Sequence, residues 1–151
     1  MPDRLVLMSI KPEYAEMLFL GTKTVELRRT RPAVSVGDWV LVYASSPRKA
    51  LIGAFRVKSV VVASPDVLWE RFGEDAGISR EGFHAYFRGS PSGVAIRVGK
   101  TIQFMDPPSL STIREFVPGF HPPQCYSYLV AGSSAHDAML QLVPANSQVS
   151  A

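Results

Sequence analysis

Residues 5–10, Leu-Val-Leu-Met-Ser-Ile, are a short and almost wholly apolar run that stops at Lys11-Pro12. The pattern predicts a first buried strand. Pro12 suits the first turn of a helix, where its missing N–H is not needed. Tyr14, Met17 and Leu18 then recur at helical spacing, and Gly21 supplies a left-handed stop, so a helix is expected over residues 12–20. From residue 22 to 29 the period falls to two. Val25 and Leu27 alternate with Thr24, Glu26 and Arg28, which predicts an extended segment with one apolar and one charged face.

Val36-Gly37-Asp38 reads as a turn leading into a strand over 39–44, and Ser45-Ser46-Pro47-Arg48-Lys49 as a polar loop. Residues 51–62 are a long β-branched run interrupted by Gly53, a mark of a bulge or a close backbone approach. Two short helices follow at 65–72 and 80–87, with Ser64 and Ser79 as caps. A strand is expected over 94–104, one or two helical turns over 109–116, a last strand over 126–130 and a small helix over 135–143. Residues 144–151 read as a frayed tail. The short links around residues 23–62 favour antiparallel pairing of consecutive strands. The order predicts an α+β domain on a small, curved, mostly antiparallel sheet or barrel. It spans residues 1–132, with 133–151 as a C-terminal extension.

Composition narrows the class. The chain has 151 residues, of which 46% are apolar and 19% charged, enough for one cored domain and unlike a disordered or fibrous chain. The apolar stretches at 15–20 and 60–63 are too short to span a bilayer, and the first residues carry no signal-peptide pattern, so no membrane partner is expected. The lone Cys125 leaves no internal disulfide and no cysteine metal cluster, and a cytoplasmic protein is the simplest expectation.

Charge adds a direction. Residues 1–60 hold ten Lys and Arg against five Asp and Glu, whereas residues 61–151 hold six against eight. The N-terminal half therefore suits an anionic partner, although the same residues also fit a solvated basic surface.

Two segments concentrate the chemistry. In Gly21-Thr22-Lys23-Thr24-Val25-Glu26-Leu27-Arg28-Arg29 a carboxylate stands among cations, and Glu26 and Arg28 share a strand face. Such a cluster binds phosphate, with the Glu orienting the cations or acting as a base; the plainer reading is an exposed strand laced with salt bridges. In Tyr43-Ala44-Ser45-Ser46-Pro47-Arg48-Lys49, two hydroxyls and two cations at a strand end make a phosphate-binding loop, with Tyr43 placed to stack a base. Its plainer reading is a solvated hairpin tip. Tyr86, Gln124 and Tyr126 are secondary candidates for a pocket wall. His84, His121 and His136 show no metal-ligand spacing, and no cofactor fingerprint is present; the residues leave a divalent-metal requirement open.

Ser9-Ile10-Lys11-Pro12-x-Tyr14 followed by Gly21-Thr22-Lys23-Thr24-Val25-Glu26-Leu27-Arg28-Arg29 resembles the opening of ASCH domains. The 37–47 segment, Leu51-Ile52-Gly53-Ala54-Phe55-x-Val57, and Pro122-Pro123-Gln124 with Tyr126 resemble the family's later strands. The resemblance implies a PUA-like β-barrel surrounded by helices and an RNA-related role in a cleft between barrel and helix. One branch of the family hydrolyses acetylated cytidine nucleosides with a Lys, a Thr and a Glu. Lys23 falls at the Lys, Glu26 stands where the Thr is expected, and neither Glu74 nor Glu81 aligns with the Glu.

These residues yield three working expectations. The first is RNA or nucleotide binding, with Lys11, Lys23, Arg28, Arg29, Arg48 and Lys49 on phosphate, aided by Ser45 and Ser46. The second is ribonuclease action on single-stranded RNA, with Glu26 as base, Lys23 or Tyr43 as acid and Arg28 stabilising developing charge. The third is a nucleoside amidohydrolase centred on Lys23. A protein-interaction domain that touches no nucleic acid is the plainest alternative. All the nucleic-acid expectations need the two charged segments to meet in one cationic hollow. The oligomeric state is not set by the sequence.

Overall fold

The computed structural model describes residues 4–130 and 133–142. Strand β1, Arg4–Ile10, opens the described chain. Its even positions Val6, Met8 and Ile10 join one buried cluster, and Leu5 and Leu7 join another on the opposite face. Burial on both faces explains why the segment is a continuous apolar run and not an alternating one.

The remaining elements follow in order as helix α1 (Pro12–Leu20), β2 (Val25–Arg28), β3 (Trp39–Ala44), β4 (Ala50–Ala63), α2 (Pro65–Phe72), α3 (Arg80–Phe87), β5 (Gly93–Gln103), α4 (Leu110–Phe116), β6 (Tyr126–Val130) and α5 (Ser134–Leu142). A short 3₁₀ turn, Gly73–Asp75, follows α2. The six strands form one sheet in the order β2-β5-β4-β3-β1-β6, curled into a half-barrel whose two edges are β2 and β6. The fold is thus α+β and PUA-like, as expected. Among the described residues no helix is long and apolar enough to cross a membrane.

Local signals set the helix ends. Gly21 closes α1 at φ +83°, a conformation an L side chain adopts at a cost, and its N–H reaches the carbonyl of Leu18. The hydroxyl oxygens of Ser64, Ser79 and Ser109 accept N–H groups of Val67, Gly82 and Thr112. These three caps open α2, α3 and α4.

Strand pairing departs from expectation at one place. β3 and β4 are antiparallel, as are β4 and β5, but β2 does not pair with β3. It pairs with β5, from Val25 opposite Arg97 to Arg28 opposite Val94. The linker at 29–38 is long enough to carry the chain away, so β3 instead lies parallel to β1 and the chain between them crosses over with α1 and β2. Burial gives the reason. Val25 and Leu27 complete an apolar cluster with Leu68, Phe72, Phe83 and Phe87 beneath α2 and α3, which is reached only at the β5 edge. Helix α5 adds Met139 to the core cluster that holds Leu5, Tyr43 and Ile113. The predicted tail at 144–151 lies outside the described residues.

Gly53 marks both features its position suggested. Val42 pairs with Gly53 but Tyr43 with Leu51, so Ile52 is the extra residue of a bulge. A Cβ on Gly53 would sit 2.5 Å from the Ile102 carbonyl oxygen and 2.5 Å from the Phe19 ring. Backbone on one side leaves little room to relax. Gly53→Ala is therefore expected to destabilise the protein by about 1–3 kcal/mol, read as a lower urea midpoint at unchanged slope.

Candidate nucleic-acid interface

β2 places its charged face against a cleft of about 950 Å³ lying between the sheet, α1 and α3. The alternation that buries Val25 and Leu27 turns Glu26 and Arg28 the other way. At the cleft floor one Glu26 carboxylate oxygen accepts a hydrogen bond from Arg28 Nη2 at 2.8 Å, and the other lies 3.5 Å from Lys23 Nζ. Each cation has a second anchor on backbone. Lys23 Nζ donates to the Ala76 carbonyl at 2.6 Å, and Arg28 Nη2 to the Ser9 carbonyl at 3.1 Å. Lys23 is only 4% exposed and Glu26 6%. Burial pushes the Lys23 amine below its ordinary range, against the pull of the Glu26 carboxylate, which raises it. Arg28 Nε is buried with no hydrogen-bond partner among the described residues, and Arg28 lines the cleft.

The serine-proline loop faces this floor. Ser45 N–H donates to the Ile10 carbonyl at 3.0 Å, which fastens the loop beside the end of β1. Ser45, Ser46 and Lys49 line the cleft with Lys11 and Arg29. Lys49 has φ +50°, a left-handed backbone unusual for a residue with a side chain. Its carbonyl accepts the Leu110 N–H at 2.9 Å, so α4 holds it there. Across the mouth, Ser9 Oγ donates to the Pro123 carbonyl at 2.6 Å and Ser9 N–H to the Cys125 carbonyl at 3.1 Å. These bonds draw the rigid 122–125 loop in as a wall.

The two charged segments thus meet in one hollow. Of the predicted site residues, Lys11, Lys23, Glu26, Arg28, Arg29, Tyr43, Ser45, Ser46 and Lys49 line it. Arg48 does not; it is exposed on the loop and is not among the lining residues. Tyr43 reaches the cleft, but its ring is 2% exposed within the apolar cluster around Leu7 and Leu51, so it offers no face for a base. Burial raises its hydroxyl above the usual range, leaving it a neutral donor.

Aromatic faces come from elsewhere. Tyr14 lies 5.4 Å from Lys23 Nζ, and the Arg29 guanidinium lies 5.0 Å from the Tyr86 ring centroid. In the sequence Tyr14 belongs to an apolar helix face and to the ASCH-like opening, and neither marks its side chain as a cleft residue. Gln124 lines the cleft; Tyr126 instead packs on Tyr128 and the core. Among the described lining residues there are five Lys and Arg and one carboxylate, Glu26. Glu74 and Glu81 are exposed and outside the lining. Among the described residues no group of three or more His, Cys, Asp and Glu side chains is placed to hold a metal.

The ASCH domain pattern matches residues 8–102. A protein of Zymomonas mobilis named an ASCH domain-containing ribonuclease is 32% identical over 129 residues, covering 85% of this chain and 86% of its own. The crystal structure of ASCH from Zymomonas mobilis superposes with a TM-score of 0.82 at 28% identity, covering 92% of this chain and 95% of that one. Human THYN1, solved in complex with DNA containing 5-methylcytosine, has a TM-score of 0.56 at 12% identity over 92% of this chain and 96% of that one, a likeness of fold alone.

Proposed function

Because the chain belongs to the ASCH domain family, we propose that its cleft binds single-stranded RNA and cleaves it. The observation that carries this reading is the charge of the hollow, five cations around one carboxylate. Lys11, Arg29 and Lys49 at the rim meet backbone phosphates, and Arg29 packed on Tyr86 offers a flat cationic surface for a base. The relative named as a ribonuclease supports the chemistry, since the two chains align over most of their lengths.

Cleavage proceeds by attack of a ribose 2′-oxygen on the adjacent phosphorus. The P–O5′ bond breaks, the 2′-proton passes to a base, and the departing 5′-oxygen takes a proton from an acid. The products are a 2′,3′-cyclic phosphate and a 5′-hydroxyl. Glu26 is the base, Tyr43 or Lys23 the acid, and Arg28 with Lys49 faces the charge that grows on the phosphoryl oxygens. Tyr43, protonated and buried at the cleft edge, suits a donor.

The test is labelled single-stranded RNA with and without a divalent cation, at two salt concentrations. Cleavage is expected, with affinity falling as salt rises. Whichever of Tyr43→Phe and Lys23→Ala removes the acid is expected to slow cleavage about 10²–10⁴-fold. Intact RNA after long incubation overturns the reading, and so does cleavage indifferent to both substitutions, which marks a contaminating nuclease.

A second reading rests on Lys23 alone. A buried amine of lowered pKa against a carboxylate is also the arrangement a nucleoside amidohydrolase uses. Loss of acetate from acetylated cytidine, followed spectrophotometrically, decides it, and no turnover removes it. A protein-interaction role fits poorly with a concave cationic hollow.

A further inference from the structure

Beside the start of β2 lies a second hollow of about 520 Å³, formed where β2, β4, β5 and the end of α2 converge. Lys58, Arg71 and Arg97 enter it from three different elements, with Thr24 on its wall and Asp75 as its one carboxylate. Among the described residues none of the three cations forms an ion pair or a side-chain hydrogen bond, and Asp75 lies within ion-pair reach of none of them. The Arg71 guanidinium lies 4.9 Å from the centroid of the Phe72 ring. Three unneutralised cations gathered around one acid repel each other, and an anion removes that cost.

A feature of the sheet puts the lysine there. Val57 pairs with Val98 and Ser59 with Arg97, so Lys58 is an extra residue in β4 at a register shift. Bulges re-aim side chains and recur beside functional sites. Gly99 lets the β4 backbone approach closely here, since a Cβ there would lie 3.2 Å from the Arg56 carbonyl oxygen.

Lys23 lines the RNA cleft and its neighbour Thr24 lines the second hollow. β2 is an edge strand of the sheet, so among the described residues no further strand stands beyond it. We propose that this hollow is a second phosphodiester-binding site, which takes a backbone phosphate of the same RNA strand after it passes around the β2 edge. The Lys58, Arg71 and Arg97 cations hold the phosphate oxygens, Thr24 donates a hydroxyl, and Asp75 accepts a hydrogen bond from a ribose 2′-hydroxyl. The inference rests on the RNA-binding reading of the cleft.

The test compares oligouridylates of about 4 and about 16 nucleotides, the range that a compact single-strand-binding fold covers. Fluorescence anisotropy over a salt series is measured for the wild type and for Lys58→Gln/Arg71→Gln, two exposed positions whose change leaves the core intact. The wild type is expected to bind the long chain more tightly and with a steeper salt dependence than the short one. The double variant is expected to keep the short-chain affinity and to lose about 1.4 from the long-chain log–log salt slope, two contacts at about 0.7 each. If the variant binds the long chain with wild-type affinity and slope, the hollow takes no strand phosphate and the inference falls while the cleft reading stands. If the wild type binds neither length, both fall.

Discussion

Glu26→Gln is expected to lower the unfolding free energy by about 3 kcal/mol, more than any other single change on the cleft floor. Removing one partner of a buried ion pair typically costs about 3–5 kcal/mol, because the charge left behind stays buried. Here two cations lose the same carboxylate. The low end of that range applies because Lys23 keeps the Ala76 carbonyl and Arg28 keeps the Ser9 carbonyl. Lys23→Met is the informative contrast. It leaves the 2.8 Å Glu26–Arg28 pair in place and removes the group that burial penalises, so its cost is expected to stay near or below about 1 kcal/mol.

The difference carries a pH signature of known sign. The folded-state pKa of Lys23 lies below its unfolded value of 10.5. Between those two values the unfolded chain binds the extra proton, so wild-type stability rises with pH through that window. Below it the full cost of burying the ammonium is present. Urea unfolding of wild type and Lys23→Met should therefore show the wild type gaining on the variant as the pH climbs toward 10.5. A gap that ignores pH, together with a neutral Glu26→Gln, would remove the buried network as an energetic feature of the floor.

That network was half legible in the sequence. Alternation placed Glu26 and Arg28 on one face, and the glycine stop at Gly21 set where the strand segment begins. Helix ends were readable for the same reason: Pro12, Ser64, Ser79 and Gly21 act on backbone groups within a few residues. The partner of β2 was not readable. It depends on an apolar cluster assembled from α2, α3 and β5, far along the chain, and no local pattern encodes that distance. The same limit hid Tyr14 as a cleft residue, since its role follows from where Lys23 folds back. Tyr43 shows the converse. A strand-end tyrosine before a polar loop suggests an exposed ring, yet β3 is buried on both faces and takes the ring with it. Arg48 and Lys49 are adjacent and alike in charge, but only Lys49 lines the cleft. The left-handed turn at Lys49 accompanies that split, and a lysine gives no warning of it in sequence.

Lys49→Gly is expected to separate stability from function. A residue with a Cβ in the left-handed region costs about 1–2 kcal/mol, and glycine adopts the same φ freely. Glycine also loses more chain entropy on folding, about 0.5–1 kcal/mol, so the net expectation is a gain between zero and about 1.5 kcal/mol. The loss is at the rim, where the ammonium is exposed and lines the cleft beside Ser45 and Ser46. RNA cleavage is expected to fall about 10²-fold and the salt slope of binding to drop by about 0.7. Lys49→Ala removes the same charge but keeps the Cβ, so it should match the glycine variant in RNA assays and be less stable by about 1 kcal/mol. Strain retained at one position, with a charge delivered by it, is the pattern of a functional residue. A glycine variant that is more stable and cleaves RNA at the wild-type rate would reduce the left-handed turn to a way of closing the loop onto α4.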